Sequence, residues 1–176
     1  MNSDHQEYII RDAQPDEFKE VGQLMIHVYS KLKGFPSKKK QPAYYNVLAN
    51  IGELTKNPKT RLLIAVTSKE QIGGAVIYLG DMKFYGSGGS APNEKNASGF
   101  RLLAVNPTTR GKGIGKQLVN HCIELAREEK QKEVVIHSTK AMEIAWGMYE
   151  KIGFKRSEDL DFMQGELPVY GFRLIL

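Results

Sequence analysis

Residues 106–116 read Asn106-Pro107-Thr108-Thr109-Arg110-Gly111-Lys112-Gly113-Ile114-Gly115-Lys116, with glycine at every second position from 111 to 115. An apolar strand end, Leu103-Ala104-Val105, comes before this stretch, and Ile114, Leu118, Cys122 and Leu125 recur after it at helical spacing. Glycines in such a strand-to-helix turn let backbone N–H groups converge on an anion, and the helix dipole adds about half a positive charge there. A phosphate is the expected guest; a tight turn and nothing more is the plainer reading of the same glycines. Two well-known phosphate motifs fail. The dinucleotide fingerprint needs glycine where Ile114 or Lys116 stands, and the ATPase loop needs glycine at Arg110 and a hydroxyl at Gln117.

Working outward, residues 8–10 read as a short strand, and Pro15-Asp16-Glu17 as a helix start whose carboxylates face the positive dipole end. Phe18, Val21, Met25, Val28 and Leu32 form one helical face, ended by Gly34 and Pro36. A weaker helical stretch covers residues 44–54. Residues 61–66 and 72–79, rich in β-branched side chains, read as antiparallel strands. Residues 86–97, with Gly-Ser-Gly-Gly-Ser and then Pro92, form a loop, either a functional lid or a tolerated insertion. A strand (100–105), a helix (114–130), a strand (134–138) and a helix (141–152) follow. Residues 162–163 and 169–176 suggest a closing hairpin. The pattern predicts an α/β fold, a mixed sheet with helices on both faces.

Composition narrows the function classes. The 176 residues suit a single domain over 1–176, and 25 Lys plus Arg against 20 Asp plus Glu leave a charge of +5. That excess asks for an anionic partner: nucleic acid, an acidic protein or a phosphorylated cofactor. Lys38-Lys39-Lys40 is an isolated run rather than a broad basic stripe with interleaved aromatics, which disfavours nucleic acid. Apolar runs fall far short of the ~20 residues that span a bilayer, so no membrane span is expected. The polar start MNSDHQE lacks the marks of a secretory signal, which predicts a cytoplasmic protein. One cysteine and scattered histidines predict no metal site.

Arg110, Gly113 and Gly115 match an Arg-x-x-Gly-x-Gly signature, and Tyr149-Glu150-Lys151-Ile152-Gly153-Phe154 supplies a second motif in which a tyrosine near a helix end precedes Gly-Phe. In these two motifs and their order the chain resembles the GNAT superfamily of N-acetyltransferases, over nearly its whole length. The resemblance implies a mostly antiparallel central sheet with a parallel, splayed strand pair that holds acetyl-CoA as co-substrate. Arg110, Gly111, Lys112, Gly113, Ile114, Gly115 and Lys116 would receive the pyrophosphate, with Ile114 turned to the core. Leu103, Ala104 and Val105 would pair with the pantetheine arm, and an N–H there would polarise the thioester carbonyl.

Tyr149 matches the family's general acid; a packing tyrosine is the alternative. The glutamate that some members carry on the fourth strand is replaced by Gly99, so the proton acceptor stays open among Glu53, Asp81, Glu94, His137 and ordered water. Strand alternation places Arg101 on the face of Leu103 and Val105, toward the cleft, where it meets either a substrate carboxylate or an internal acid. Tyr44 and Tyr45 fall, by analogy, near the acceptor. Cys122 reads as a core residue. The implied reaction is direct attack on acetyl-CoA by a primary amine of a small molecule: an amino acid, polyamine or amine antibiotic. A protein or peptide acceptor and a non-catalytic acyl-CoA sensor are the alternatives. The last strand could pair across a homodimer.

Overall fold

Strands β2 (Thr60–Val66) and β3 (Ile72–Leu79) are almost continuously apolar because both of their faces are covered. The computed structural model describes residues 7–176; the polar start over residues 1–6 lies outside the described residues. Around β2 and β3 an eight-stranded sheet assembles with β1 (Ile9–Asp12), β4 (Ala97–Val105), β5 (Glu133–Ser138), β6 (Lys155–Arg156) and β8 (Leu167–Ile175), in the order β1-β2-β3-β4-β5-β8-β6. A short strand β7 (Phe162–Gln164) forms a hairpin with β8, as the sequence suggests. Every pairing is antiparallel except β4 with β5, which the helix α3 (Ile114–Glu128) connects.

Alternate residues of β2 supply two cores. Leu62, Ile64 and Val66 pack under α1 (Phe18–Ser30) and α2 (Pro42–Ala49), whereas Leu63 and Ala65 pack under α3 and α4 (Glu143–Ile152). The expected helix over 44–54 breaks at Asn50 into α2 and a 3-10 turn (Ile51–Lys56). The loop over 86–97 holds a single 3-10 turn (Ala91–Asn93) before β4, which starts three residues earlier than expected. None of the helices among the described residues is long and apolar enough to cross a membrane.

Two irregularities shape the sheet around the candidate site. First, β4 and β5 pair only where Ala97, Ser98 and Gly99 face Glu133, Val134 and Val135; beyond that point they part, and β5 continues with β8. Second, the register against β3 shifts between Ala75, opposite Ala104, and Ile77, opposite Arg101, so β4 carries one extra residue. Leu102, at φ +57°, is part of this bulge. The bulge corrects the expectation for Arg101. Directly paired strand residues share a face, and Ile77 and Ala75 both belong to the core under α1 and α2. Arg101 therefore lies on the α1 side, opposite Leu103 and Val105, which pack with the α3 core.

Candidate active site

The gap between β4 and β5 opens into a cleft of about 1250 Å³. Its floor is β4 from Phe100 to Leu103 with Val105, one wall is the end of β5 (His137, Ser138), and the other wall comes from α1 and the segment after it (Tyr29, Phe35).

At one end stands the glycine turn. A 3-10 turn (Pro107–Thr109) is capped by the Asn106 side chain, which accepts the Thr108 N–H at 3.1 Å, and the Thr109 hydroxyl donates to the Gly73 carbonyl at 3.1 Å. These bonds anchor the turn to β3. Gly111 and Gly113 then take left-handed φ of +82° and +77°, and a Cβ on either would meet no atom of the described residues within 4 Å. Conformation and open space both favour glycine here. Gly113 caps α3, whose first N–H groups lack intrahelical partners and carry the positive dipole end. Arg110 and Lys116 line the cleft, whereas Lys112 is exposed and does not. Ile114 sends its side chain into the α3 core, as expected.

Along the middle of the cleft, Leu103 and Val105 line the opening, while Ala104 is buried in the opposite core. The Tyr29 hydroxyl donates to the Leu103 carbonyl at 3.1 Å and fixes the bulged strand. Across the gap, the hydroxyls of Ser138 and Thr139 are buried with no hydrogen-bond partner among the described residues, and both residues line the cleft. Tyr149, on α4, packs its ring against Phe100 and Phe154 at centroid distances of 5.8 and 5.9 Å. Its hydroxyl has no partner among the described residues, and the residue lines the cleft. Burial pushes this phenol well above its usual range, so it keeps its proton. Cys122 is fully buried and its thiol is likewise pushed up by burial, which suits a core residue.

At the far end lie Arg101, Tyr44, Tyr85 and His137. His137 Nε2 is 2.8 Å from the Leu160 carbonyl, which can only accept, so Nε2 carries the proton. Burial lowers the imidazole below its ordinary range, and a neutral ring then offers Nδ1 to the Tyr85 hydroxyl at 3.0 Å. The sequence offers His137 as a candidate acceptor but Tyr85 only as a core or cleft-lining aromatic, and the structure brings the two together. The available signal was Gly99: a Cβ there would sit 2.8 Å from Tyr85 Cε2 and 2.7 Å from the Val135 carbonyl oxygen. The Tyr85 ring fills the space that a side chain at 99 would need. Of the other candidate acceptors, Glu53 pairs with Lys56, Asp81 accepts the Lys83 N–H and Glu94 pairs with Arg173; all three lie outside the cleft. Tyr45 is also elsewhere, its hydroxyl donating to the Pro36 carbonyl at 2.8 Å. Among the described residues no group of His, Cys, Asp and Glu could hold a metal ion.

A parted parallel strand pair, a glycine-capped helix beside the gap and a tyrosine lining the same cleft make up an acyltransferase type of architecture. The acetyltransferase (GNAT) family model matches residues 25–154, and the chain belongs to that family. It is 30% identical over 127 residues to the uncharacterised N-acetyltransferase YjgM of Escherichia coli, covering 70% of this chain and 73% of that protein. It is 36% identical over 55 residues to human N-acetyltransferase 8B, a match that spans 31% of this chain and 24% of the human protein. A GNAT-family acetyltransferase of Staphylococcus aureus shares the fold with a TM-score of 0.72 at 17% identity, over 96% of this chain and 99% of that one. An acetyltransferase of Streptococcus agalactiae does so with a TM-score of 0.68 at 16% identity, over 97% and 99%.

Proposed function

We propose that this protein transfers the acetyl group of acetyl-CoA directly to the primary amine of a small molecule. One observation carries the reading: the open glycine turn at the start of α3, the parted β4–β5 pair and Tyr149 all line one cleft. The cleft fits acetyl-CoA. Phosphates suit the unpaired N–H groups at Gly113 with Arg110 and Lys116 beside them, and an amide-bearing arm suits the orphan hydroxyls of Ser138 and Thr139 and the parted edge of β4. Bound acetyl-CoA supplies an acyl group activated as a thioester.

The remaining chemistry falls to the chain's own residues. The bulge at Leu102 interrupts the β3–β4 ladder and exposes backbone polar groups near Leu103 to the reacting carbonyl. Tyr85 Oη accepts a proton from the attacking amine while its own proton passes to His137 Nδ1, and the Leu160 carbonyl holds the opposite side of the ring. Tyr149 Oη gives its proton to the departing sulfur. A small acceptor is supported by a bridge near the far end of the cleft. Gln41 Nε2 donates to the Gln164 carbonyl at 3.3 Å, and Gln164 Nε2 donates to Gln41 Oε1 at 2.6 Å, joining the segment before α2 to the β7–β8 hairpin. Calorimetric titration with acetyl-CoA, followed by an acetyl-transfer screen over an amine panel read by mass spectrometry, tests the reading. Binding together with an N-acetylated product supports it; no binding, or no product from any amine, overturns it.

A further inference from the structure

We infer that the acceptor is an amino acid with a bulky apolar side chain, whose carboxylate is held by Arg101. The inference rests on the acetyl-transfer reading of the cleft and narrows it to one substrate class. Arg11, Arg61, Arg127, Arg156 and Arg173 each pair with a carboxylate. Arg101 and Arg110 pair with none among the described residues, and both line the cleft. Arg110 stands beside the glycine turn, where phosphate charge answers it. Arg101 stands at the acceptor end with no such answer.

The guanidinium is held in place without being neutralised. Its Nη1 donates to the Tyr85 carbonyl at 2.8 Å, and the group lies 5.7 Å from the centre of the Tyr85 ring. The chain turns tightly around it at Gly86, where φ is +76° and a Cβ would come within 2.9 Å of Nη1. Its Nε and Nη2 have no partner among the described residues. A guanidinium presented with free donors matches the two oxygens of a carboxylate. Tyr85 joins this anchor to the proton acceptor, since its backbone holds Arg101 and its hydroxyl meets His137. An α-amino acid has the matching arrangement, with carboxylate and amine one carbon apart.

The surroundings select the rest of the molecule. The Tyr44 ring lies tilted against Phe35 at a centroid distance of 5.5 Å and edge to face with Tyr29 at 6.2 Å, forming an aromatic wall on the face of β4 that carries Arg101. The carboxylate lining the cleft among the described residues is Glu143, at the start of α4, so a polycationic amine finds no counter-charge beside Arg101. These features favour an anionic, apolar acceptor over a polyamine.

The test compares matched triplets built on phenylalanine, leucine and methionine: the amino acid, its amide and the decarboxylated amine, with spermidine as a further arm. The expected result is a kcat/KM for the amino acid at least about 30-fold above that of its amide or amine, since a charge-assisted pair is lost in both. Spermidine is expected to be the poorest acceptor. Arg101→Gln should bring the ratio near one, and Arg101→Lys, which keeps the charge without the fork, should leave an intermediate ratio. Because the ratio compares acceptors on one preparation, partial misfolding does not mimic the effect. Equal use of amide and acid, preference for spermidine, or a ratio unchanged in Arg101→Gln overturns the inference while the acetyl-transfer reading stands. Failure of acetyl-CoA to bind is the distinct result that overturns the underlying reading.

Discussion

The Tyr85 hydroxyl lies 3.0 Å from His137 Nδ1, and the Tyr85 ring occupies the space beside the backbone of Gly99. The missing strand glutamate and the buried tyrosine–histidine pair are thus one structural fact. A side chain at 99 and the ring of Tyr85 compete for the same volume. A Gly99→Ala chain should lose about 2 kcal/mol of stability through overpacking, and Gly99→Glu should lose more and gain no activity. Urea unfolding and steady-state rates check both outcomes.

In the proposed mechanism His137 governs the acid side of the pH profile. Burial favours its neutral form, the Leu160 carbonyl and Asp161 pull the other way, and Arg101 and Arg156 add to the lowering. Proton acceptance is therefore intact above the ordinary histidine value of 6.5 and is lost as pH falls through a lower midpoint. His137→Gln and Tyr85→Phe should each flatten that acid limb and reduce kcat about a hundredfold, measured from pH 5 to 9. Stability has the same sign: a histidine held neutral contributes fully above its unfolded pKa and less as pH falls through the folded one. Thermal melts against pH should show the His137→Gln protein losing part of its acid sensitivity.

Gly113→Ala separates conformation from contact. A Cβ there meets no atom of the described residues within 4 Å, so the stability loss should be about 1–2 kcal/mol, from the left-handed φ of +77° alone. Affinity for acetyl-CoA should fall by a larger factor, about tenfold or more, because the added methyl stands where a phosphate approaches. Paired unfolding and calorimetric titrations distinguish the two effects.

Tyr149→Phe removes a hydroxyl that has no partner among the described residues while keeping the ring that packs on Phe100 and Phe154. Melting temperature should hardly change. A general acid predicts kcat about a hundredfold lower with little change in the KM for acetyl-CoA. Unchanged turnover would identify Tyr149 as a packing residue.

The sequence revealed what repeats or what is punctuated. The glycine turn, the period-3.6 faces of α1 and α3 and the apolar runs of β2 and β3 follow from local pattern, so their elements appear where expected. The bulge at Leu102 does not, because no local signal distinguishes it from ordinary strand, yet it moves Arg101 to the face opposite Leu103 and Val105. The Tyr85–His137 pair joins positions 52 residues apart and depends on the close approach of the β3–β4 connection to β5. Tyr44 and Tyr45 show the same limit at shorter range: neighbours on one helix, they diverge so that only Tyr44 reaches the cleft.

The proposed function rests on direct acetyl transfer from acetyl-CoA to an amine in the β4–β5 cleft. Initial velocities measured as both substrates vary, with release of the coenzyme thiol followed continuously and the protein mass recorded, test it most directly. Direct transfer predicts thiol release that depends on amine, intersecting double-reciprocal lines and a protein mass that stays unacetylated. Thiol release independent of amine, or parallel lines with an acetylated protein, would contradict it.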